Sequence, residues 1–267
     1  MERFKNKVVL ITGGGSGIGA ATARRLSREG ASVAVMGRRL EPLQRLAKEI
    51  QGIAIAGDVT QEADNLCAVE TTVKHFGCLN VVVTCAGVVH PGPAAELDLE
   101  DWRQTVGVNL EGTFLITRAA IPAMKRSGGG AIVVVSSIGA LIAAPGLAAY
   151  PAAKAGVLGY TRSLAVDYGP CDIRANTILP GWVKTDMSDA AIAYFSEASG
   201  RDANTIVERF TRHQPIARMA ESKEIAACIA FLASDDASFV TGTTLIADGG
   251  GHIVNAGMIA ATELVPG

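Results

Sequence analysis

Aromatic residues are scarce in this chain, at 5%, so a stacking platform for single-stranded nucleic acid is not expected. An excess of one charge is missing too: 24 lysines and arginines stand against 26 acidic residues, a formal net charge of −2. That balance gives no basic footprint for nucleic acid or an anionic membrane. The cysteines Cys67, Cys78, Cys85, Cys171 and Cys228 form no CxxC pair and are odd in number. Neither a disulfide framework nor a zinc site is therefore expected, and a reduced cytoplasmic protein without a metal is predicted. The histidines His75, His90, His213 and His252 are equally dispersed. No apolar run reaches the roughly 18 residues that a membrane span needs. The first seven residues lack the form of a signal peptide.

What is present is apolar bulk, 49% of 267 residues, enough to bury a large core. Short β-branched runs at 8–12, 32–36, 52–56, 79–84, 131–136, 173–178 and 243–246 lack clean alternation. Strands covered on both faces read this way. Amphipathic stretches at 18–29, 41–50, 62–75, 99–125 and 152–168 lie between them. Strand and helix alternating so predict an α/β fold, a Rossmann-type doubly wound parallel sheet of about seven strands. No linker or repeat divides the chain, so one dinucleotide-binding and catalytic domain is expected over 1–267. Within it, 184–218 reads as an insertion after the sixth strand, over the sheet edge where ligands bind. The segment 251–267 reads as a C-terminal tail.

The first strand runs into Gly13-Gly14-Gly15-Ser16-Gly17-Ile18-Gly19 and then a helix. Glycines there permit a tight turn and let backbone N–H groups approach a pyrophosphate at the positive helix end. Gly13, Ser16, Gly17, Ile18 and Gly19 are thus candidate cofactor-binding residues. The spacing differs from GxGxxG, and the GK[ST] ending of a nucleoside-triphosphate loop is absent. The second strand ends in Arg38-Arg39, with no acid before Glu41. A carboxylate there would hold a ribose 2′-hydroxyl, whereas arginine suits a 2′-phosphate. NADP(H) is expected over NAD(H); the competing role is a pair of solvated arginines at a helix start.

Tyr150 and Lys154, spaced i,i+4, share one face of a helix. Lowering a phenol from a pKa of about 10 to about 7 needs ~4 kcal/mol of differential stabilisation. A close ammonium and the positive ring of an oxidised nicotinamide both act in that direction. Taken alone, such a pair is more often a surface contact. Pro151 restricts the residue before it yet suits a first helical turn, which places Tyr150 at the start of its helix.

In company the motifs say more. From Lys7 to about Gly250 the chain resembles the short-chain dehydrogenase/reductase family in its shorter form. The resemblance rests on Thr12-Gly13-x3-Gly17-x-Gly19, Asp58-Val59, Cys85-Ala86-Gly87, Asn109, Ser137, Tyr150-x3-Lys154 and Pro180-Gly181-x3-Thr185. It implies that Tyr150 is the general acid/base and that Lys154 bonds the nicotinamide ribose and lowers the tyrosine pKa. It implies that Ser137 holds the substrate oxygen and that Asn109 anchors a relay water. Asp58 and Val59 would meet the adenine, Ala86 and Gly87 would pass the adenosine side, and Val183 and Thr185 would meet the carboxamide and phosphates. Competing structural roles are a strand-end cap for Ser137, a buried helix position for Asn109 and a turn cap for Asp58. Ser136 is the rival serine, and the 13-residue offset to Tyr150 favours Ser137. Cys85 departs from the family's common asparagine, which removes a side-chain tie but not the backbone contacts.

The expected activity is interconversion of a secondary alcohol and a ketone by direct hydride transfer, without a metal. An apolar substrate fits Ala140–Ala144 and Leu147. A 3-oxoacyl-thioester reductase and a catalytically silent cofactor-binding regulator are the alternatives. The resemblance also implies a homotetramer, and the tail's Ile253, Val254, Met258 and Ile259 suit contact with a neighbour or with its own site.

Overall fold

The structure, a computed structural model, describes residues 2–255 and 257–259. One sheet of seven parallel strands runs in the order β3-β2-β1-β4-β5-β6-β7. The strands are β1 Val8–Thr12, β2 Ser32–Gly37, β3 Ile53–Ala56, β4 Val81–Thr84, β5 Gly130–Val135, β6 Ile173–Pro180 and β7 Thr244–Ala247. The helices between them are α1 Gly17–Arg28, α2 Leu40–Ile50, α3 Glu62–Phe76, α4 Leu99–Val106, α5 Gly112–Arg126 and α6 Ala149–Tyr168. Then come α7 Asp186–Ser199, α8 Ala203–Thr211 and α9 Ser222–Ala233. Of the apolar tail, residues 256 and 260–267 lie outside the described residues.

The uninterrupted apolar strands are explained by two cores. Val9, Ile11, Val33 and Val35 point to one side, where Ala23 and Leu26 of α1, Leu43 of α2 and Ile229 of α9 cover them. Their neighbours Val8, Leu10, Ala34 and Met36 point to the other, against Ala68 of α3, Ile116 and Ala120 of α5 and Val157 of α6. Each fully buried aliphatic side chain stabilises the fold by roughly 1.5–3 kcal/mol. A strand with one polar face would leave one helical layer unsupported.

The strand order reverses between β1 and β4, where Thr12 pairs with Thr84 in register. Thr84 in turn pairs with Val134, and Val135 with Ile178. The segments that leave these strands therefore emerge side by side at one sheet edge, the usual ligand position in such sheets.

Two elements differ from the sequence expectation. The stretch expected as one helix over 99–125 is α4 and α5 joined by a π-helical turn, Gly107–Glu111. Wide turns of this kind interrupt the regular ladder and recur at functional sites. The helix expected from 152 begins at Ala149, with Tyr150 and Pro151 in its first turn. The missing N–H of Pro151 falls among groups that lack helical partners anyway. Tyr150 does stand at the start of its helix.

Candidate active site

The glycine loop is shaped by close approach. Gly13 has φ +65°, and a Cβ there would lie 2.6 Å from the Ala86 nitrogen. A Cβ at Gly19 would lie 2.3 Å from the Gly13 oxygen. No larger residue fits either position unless the backbone moves. Ser16, in an extended conformation before α1, makes no side-chain cap bond. The first-turn N–H groups of α1 are thus left for a ligand, and the turn fits a pyrophosphate. Ile18 packs partly against the core beneath.

Beside this turn a cavity of about 480 Å³ is lined by Gly15, Ser16, Arg39, Leu40, Glu41, Pro42, Arg45 and Asp186. Arg39, just after β2, lines this cavity and Arg38 does not; both are exposed. Asp58 accepts from the Thr60 nitrogen at 3.0 Å and the Thr60 hydroxyl at 2.9 Å, so it does cap the turn after β3. Val59 is buried against Gly112.

The loop after β4 runs beneath the glycine turn. The Cys85 nitrogen bonds the Thr12 oxygen at 3.1 Å. Its thiol makes no hydrogen bond among the described residues, and burial pushes its pKa up to about 12. It replaces a polar tie by packing. Ala86 and Gly87 keep the close backbone path: a Cβ at Gly87 would meet Asn109 Oδ1 at 3.0 Å and Lys154 Nζ at 3.7 Å.

Asn109 lies in the π turn, buried, with its Nδ2 donating to the oxygens of Val88 and Thr105, each at 2.8 Å. Its Oδ1 is buried without a partner, and orphaned acceptors of this kind call for a bound donor. The Asn109 carbonyl meanwhile accepts from the Thr113 hydroxyl at 3.0 Å. Lys154 is buried, and its ammonium donates to the Val135 oxygen at 3.0 Å. Burial lowers its pKa to about 8.

Ser136 and Ser137 separate clearly. Ser136 is buried and donates to the Lys154 carbonyl at 2.8 Å, a structural tie between β5 and α6. Ser137 accepts from the Gly139 nitrogen at 3.1 Å, so it caps the turn Ile138–Ala140. An accepting hydroxyl keeps its proton available for a second partner. A Cβ at Gly139 would lie 3.5 Å from Ser137 Oγ and 3.6 Å from Tyr150 Cε1. Serine and tyrosine therefore flank one gap. Lys154 Nζ is 5.7 Å from the Tyr150 ring centre. In the protein alone burial raises the Tyr150 pKa, and the Ser137 hydroxyl pulls the other way. The lowering expected from Lys154 is not yet in force.

After β6, Val183 is buried and bridges to Ala220, while Thr185 caps α7. Thr185 Cγ2 comes within 3.0 Å of where a Cβ on Gly17 would stand. Trp182 stacks on Phe210 of α8, with centroids 4.1 Å apart and planes at 3°, and Phe195 of α7 meets Phe210 edge-on at 5.5 Å. The segment 184–218 is thus docked on the exit of β6 and touches the glycine turn. Asp248 at the exit of β7 is buried, and its carboxylate takes bonds from the Gly250 nitrogen and from the nitrogen and ring of His252. Burial pushes its pKa up, but those bonds prevail and hold it below the usual range.

Sequence reasoning missed the π turn, Thr113, Gly139 and the lining role of Asp186. Only Asp186 carried a signal, as an acid just after a threonine able to cap a helix.

Comparison with known proteins shows the family. A short-chain dehydrogenase/reductase model, described as Enoyl-(Acyl carrier protein) reductase, matches residues 13–252. Cyclohexanol dehydrogenase of Acinetobacter sp. (strain SE19) is 39% identical over 256 residues, 93% of this chain and 96% of that one. Levodione reductase of Leifsonia aquatica is 36% identical over 256 residues, 93% of this chain and 95% of its own. The ligand-free aldohexose dehydrogenase of Thermoplasma acidophilum superposes with a TM-score of 0.88 at 32% identity, covering 96% of this chain and 97% of that one.

The chain belongs to the short-chain dehydrogenase/reductase family, oxidoreductases that act on CH–OH groups with NAD(P)(H).

Proposed function

We propose that this protein interconverts an uncharged, largely apolar secondary alcohol and its ketone, with NADP(H) preferred over NAD(H). The observation that carries the reading is the pair of gaps bounded by Ser137 with Tyr150 and by Asn109 with Lys154. Gly13, Ser16, Gly17, Ile18 and Gly19 would cradle the pyrophosphate, and Arg38 and Arg39 would favour a 2′-phosphate. Asp58, Val59, Ala86 and Gly87 would pass the adenosine side; Val183 and Thr185 would meet the nicotinamide end. The nicotinamide these residues would hold would supply hydride transfer to and from the carbinol carbon, and its oxidised ring would add positive charge that favours the Tyr150 phenolate.

In oxidation Tyr150 takes the hydroxyl proton, and in reduction it returns one to the nascent alkoxide. Ser137 would turn its O–H to the same oxygen, which orients the carbinol carbon. Lys154 would bond the ribose and hold positive charge beside the phenolate. Asn109 Oδ1, lacking a donor in the chain, is suited to hold a water beside Lys154 that passes protons outward.

Exposed Leu141 and Ile142 after β5, and Met187, Tyr194 and Phe195 on α7, give the segments around this edge an apolar surface. Lys184 and Arg218 nearby are paired with Glu221 and Glu224. No unpaired cation of those two is left for a charged substrate. The relatives that act on cyclohexanol and levodione favour an alicyclic ketone. The covering role of 184–218, one domain over 1–267 and a cytoplasmic homotetramer belong to the same reading; exposed Leu99, Trp102 and Phe114 on α4 and α5 suit contact between copies.

A panel of cyclic ketones, aryl ketones and an acetoacetyl thioester, each with NADPH and NADH, tests the reading. Turnover of cyclic ketones, fastest with NADPH, is expected. Faster turnover of the thioester would replace the substrate class, and no turnover of any would favour a silent binding protein.

A further inference from the structure

The cavity at the end of β2 is electrically balanced in a way its arginines alone do not suggest. Its lining carries Arg39 and Arg45, and each faces an acid. Arg45 Nη1 lies 3.4 Å from Glu41 Oε1, one turn earlier on α2. Arg39 Nη2 lies 3.7 Å from Asp186 Oδ2, which comes from the far side of the sheet edge, on the first residue of α7. Two guanidiniums meet two carboxylates, so the formal charges of the lining cancel.

We propose that Asp186 is a specificity-determining residue that competes with a ribose 2′-phosphate for Arg39, and so narrows the preference for NADP(H) over NAD(H). The inference rests on the reading of this cavity as the adenosine-ribose end of the cofactor site. A phosphate entering beside Arg39 must displace the carboxylate or remain beside it, and both cost binding energy. A free 2′-hydroxyl carries no such charge and leaves the pair intact. Arg39 and Asp186 are 71% and 72% exposed, so the pair is weak and displaceable, and its effect is graded.

The placement of Asp186 is fixed by its neighbours. Thr185 accepts from the Ser188 nitrogen at 3.3 Å, and Ser188 Oγ donates to the Thr185 oxygen at 2.8 Å. Thr185 also abuts Gly17. The start of α7 is therefore held by its own cap and lies against the glycine turn, which places Asp186 beside Arg39. An acid in a first helical turn also complements the helix dipole. Asp189 shares that turn and is exposed, but does not line the cavity, which makes it the internal control.

The test is fluorescence titration of the wild type, Asp186→Asn and Asp189→Asn with NADPH and with NADH. Asp186→Asn is expected to tighten NADPH relative to NADH by about three- to fivefold, the range an exposed ion pair can supply. Asp189→Asn should leave the ratio where it is, and raised salt should shrink the Asp186→Asn effect. An unmoved ratio, or equal movement in both variants, overturns the inference while leaving the cofactor reading intact. Binding of neither nucleotide by the wild type would overturn both.

Discussion

The two sides of the sheet edge are built on opposite principles. On the β1–β2 side the cradle is made by omission: Gly13 and Gly19 are needed because any Cβ would strike backbone at 2.6 Å and 2.3 Å. On the β4–β6 side the site is made by commitment, with Lys154, Asn109 and Ser136 buried and tied across elements by named hydrogen bonds. A backbone cradle binds any nucleotide of the right shape and does no proton chemistry. Buried polar side chains hold a proton at one place, but they must be satisfied individually. The difference predicts that substitutions on the two sides fail differently, one in binding and the other in turnover.

The largest effect should be on the catalytic side. Tyr150→Phe is expected to lower kcat by about 10²–10⁴-fold, the range of a lost general acid/base. The cofactor Kd should move little; a comparable loss of binding would merge the two sides. Gly13→Ala should do the reverse. A side chain at φ +65° costs ~1–3 kcal/mol before the Ala86 clash is counted. A lowered Tm and a weakened cofactor Kd are expected, and retention of both would show that the loop relaxes.

Lys154 sharpens the comparison through pH. Burial lowers its pKa to about 8, below the ordinary lysine value of 10.5. Between those values the unfolded chain binds more protons than the folded one, so stability rises with pH over that window. The contribution is complete above about 10.5 and lost as pH falls through about 8. Urea unfolding of wild type and Lys154→Met across pH 7–11 should show this slope in the wild type alone; parallel curves would contradict the burial. The smallest effect belongs to Pro151→Ala. Proline in the first turn of α6 gives up no helical bond, so activity should change by less than about tenfold. A greater loss would mean that proline sets the geometry of Tyr150.

Much of the fold was legible because each strand is a short apolar run and the glycines of the first turn, Gly13 and Gly19, have a steric reason. The segment 8–12 coincides with β1, and the order of elements followed from the alternation. The helix boundary near Tyr150 followed from Pro151. The π turn was not legible: residues 99–125 keep a helical apolar pattern through it, and one extra residue per turn leaves little periodic trace. Ser136 and Ser137 differ by a single position just past the end of β5. Only the packing there shows why one ties to Lys154 and the other flanks Tyr150.

The sequence by itself determined the sheet, the glycine turn and the membership of Tyr150 and Lys154 in one helix, because periodicity and steric limits act between near neighbours. Only the tertiary structure decided what each polar group faces. Arg39 meets Asp186, which lies 147 positions further along the chain. Asn109 Oδ1 is left without a partner beside Lys154. Burial raises the Tyr150 phenol and lowers the Lys154 ammonium. Charge and desolvation depend on distance in space, and no local pattern in the chain encodes that distance.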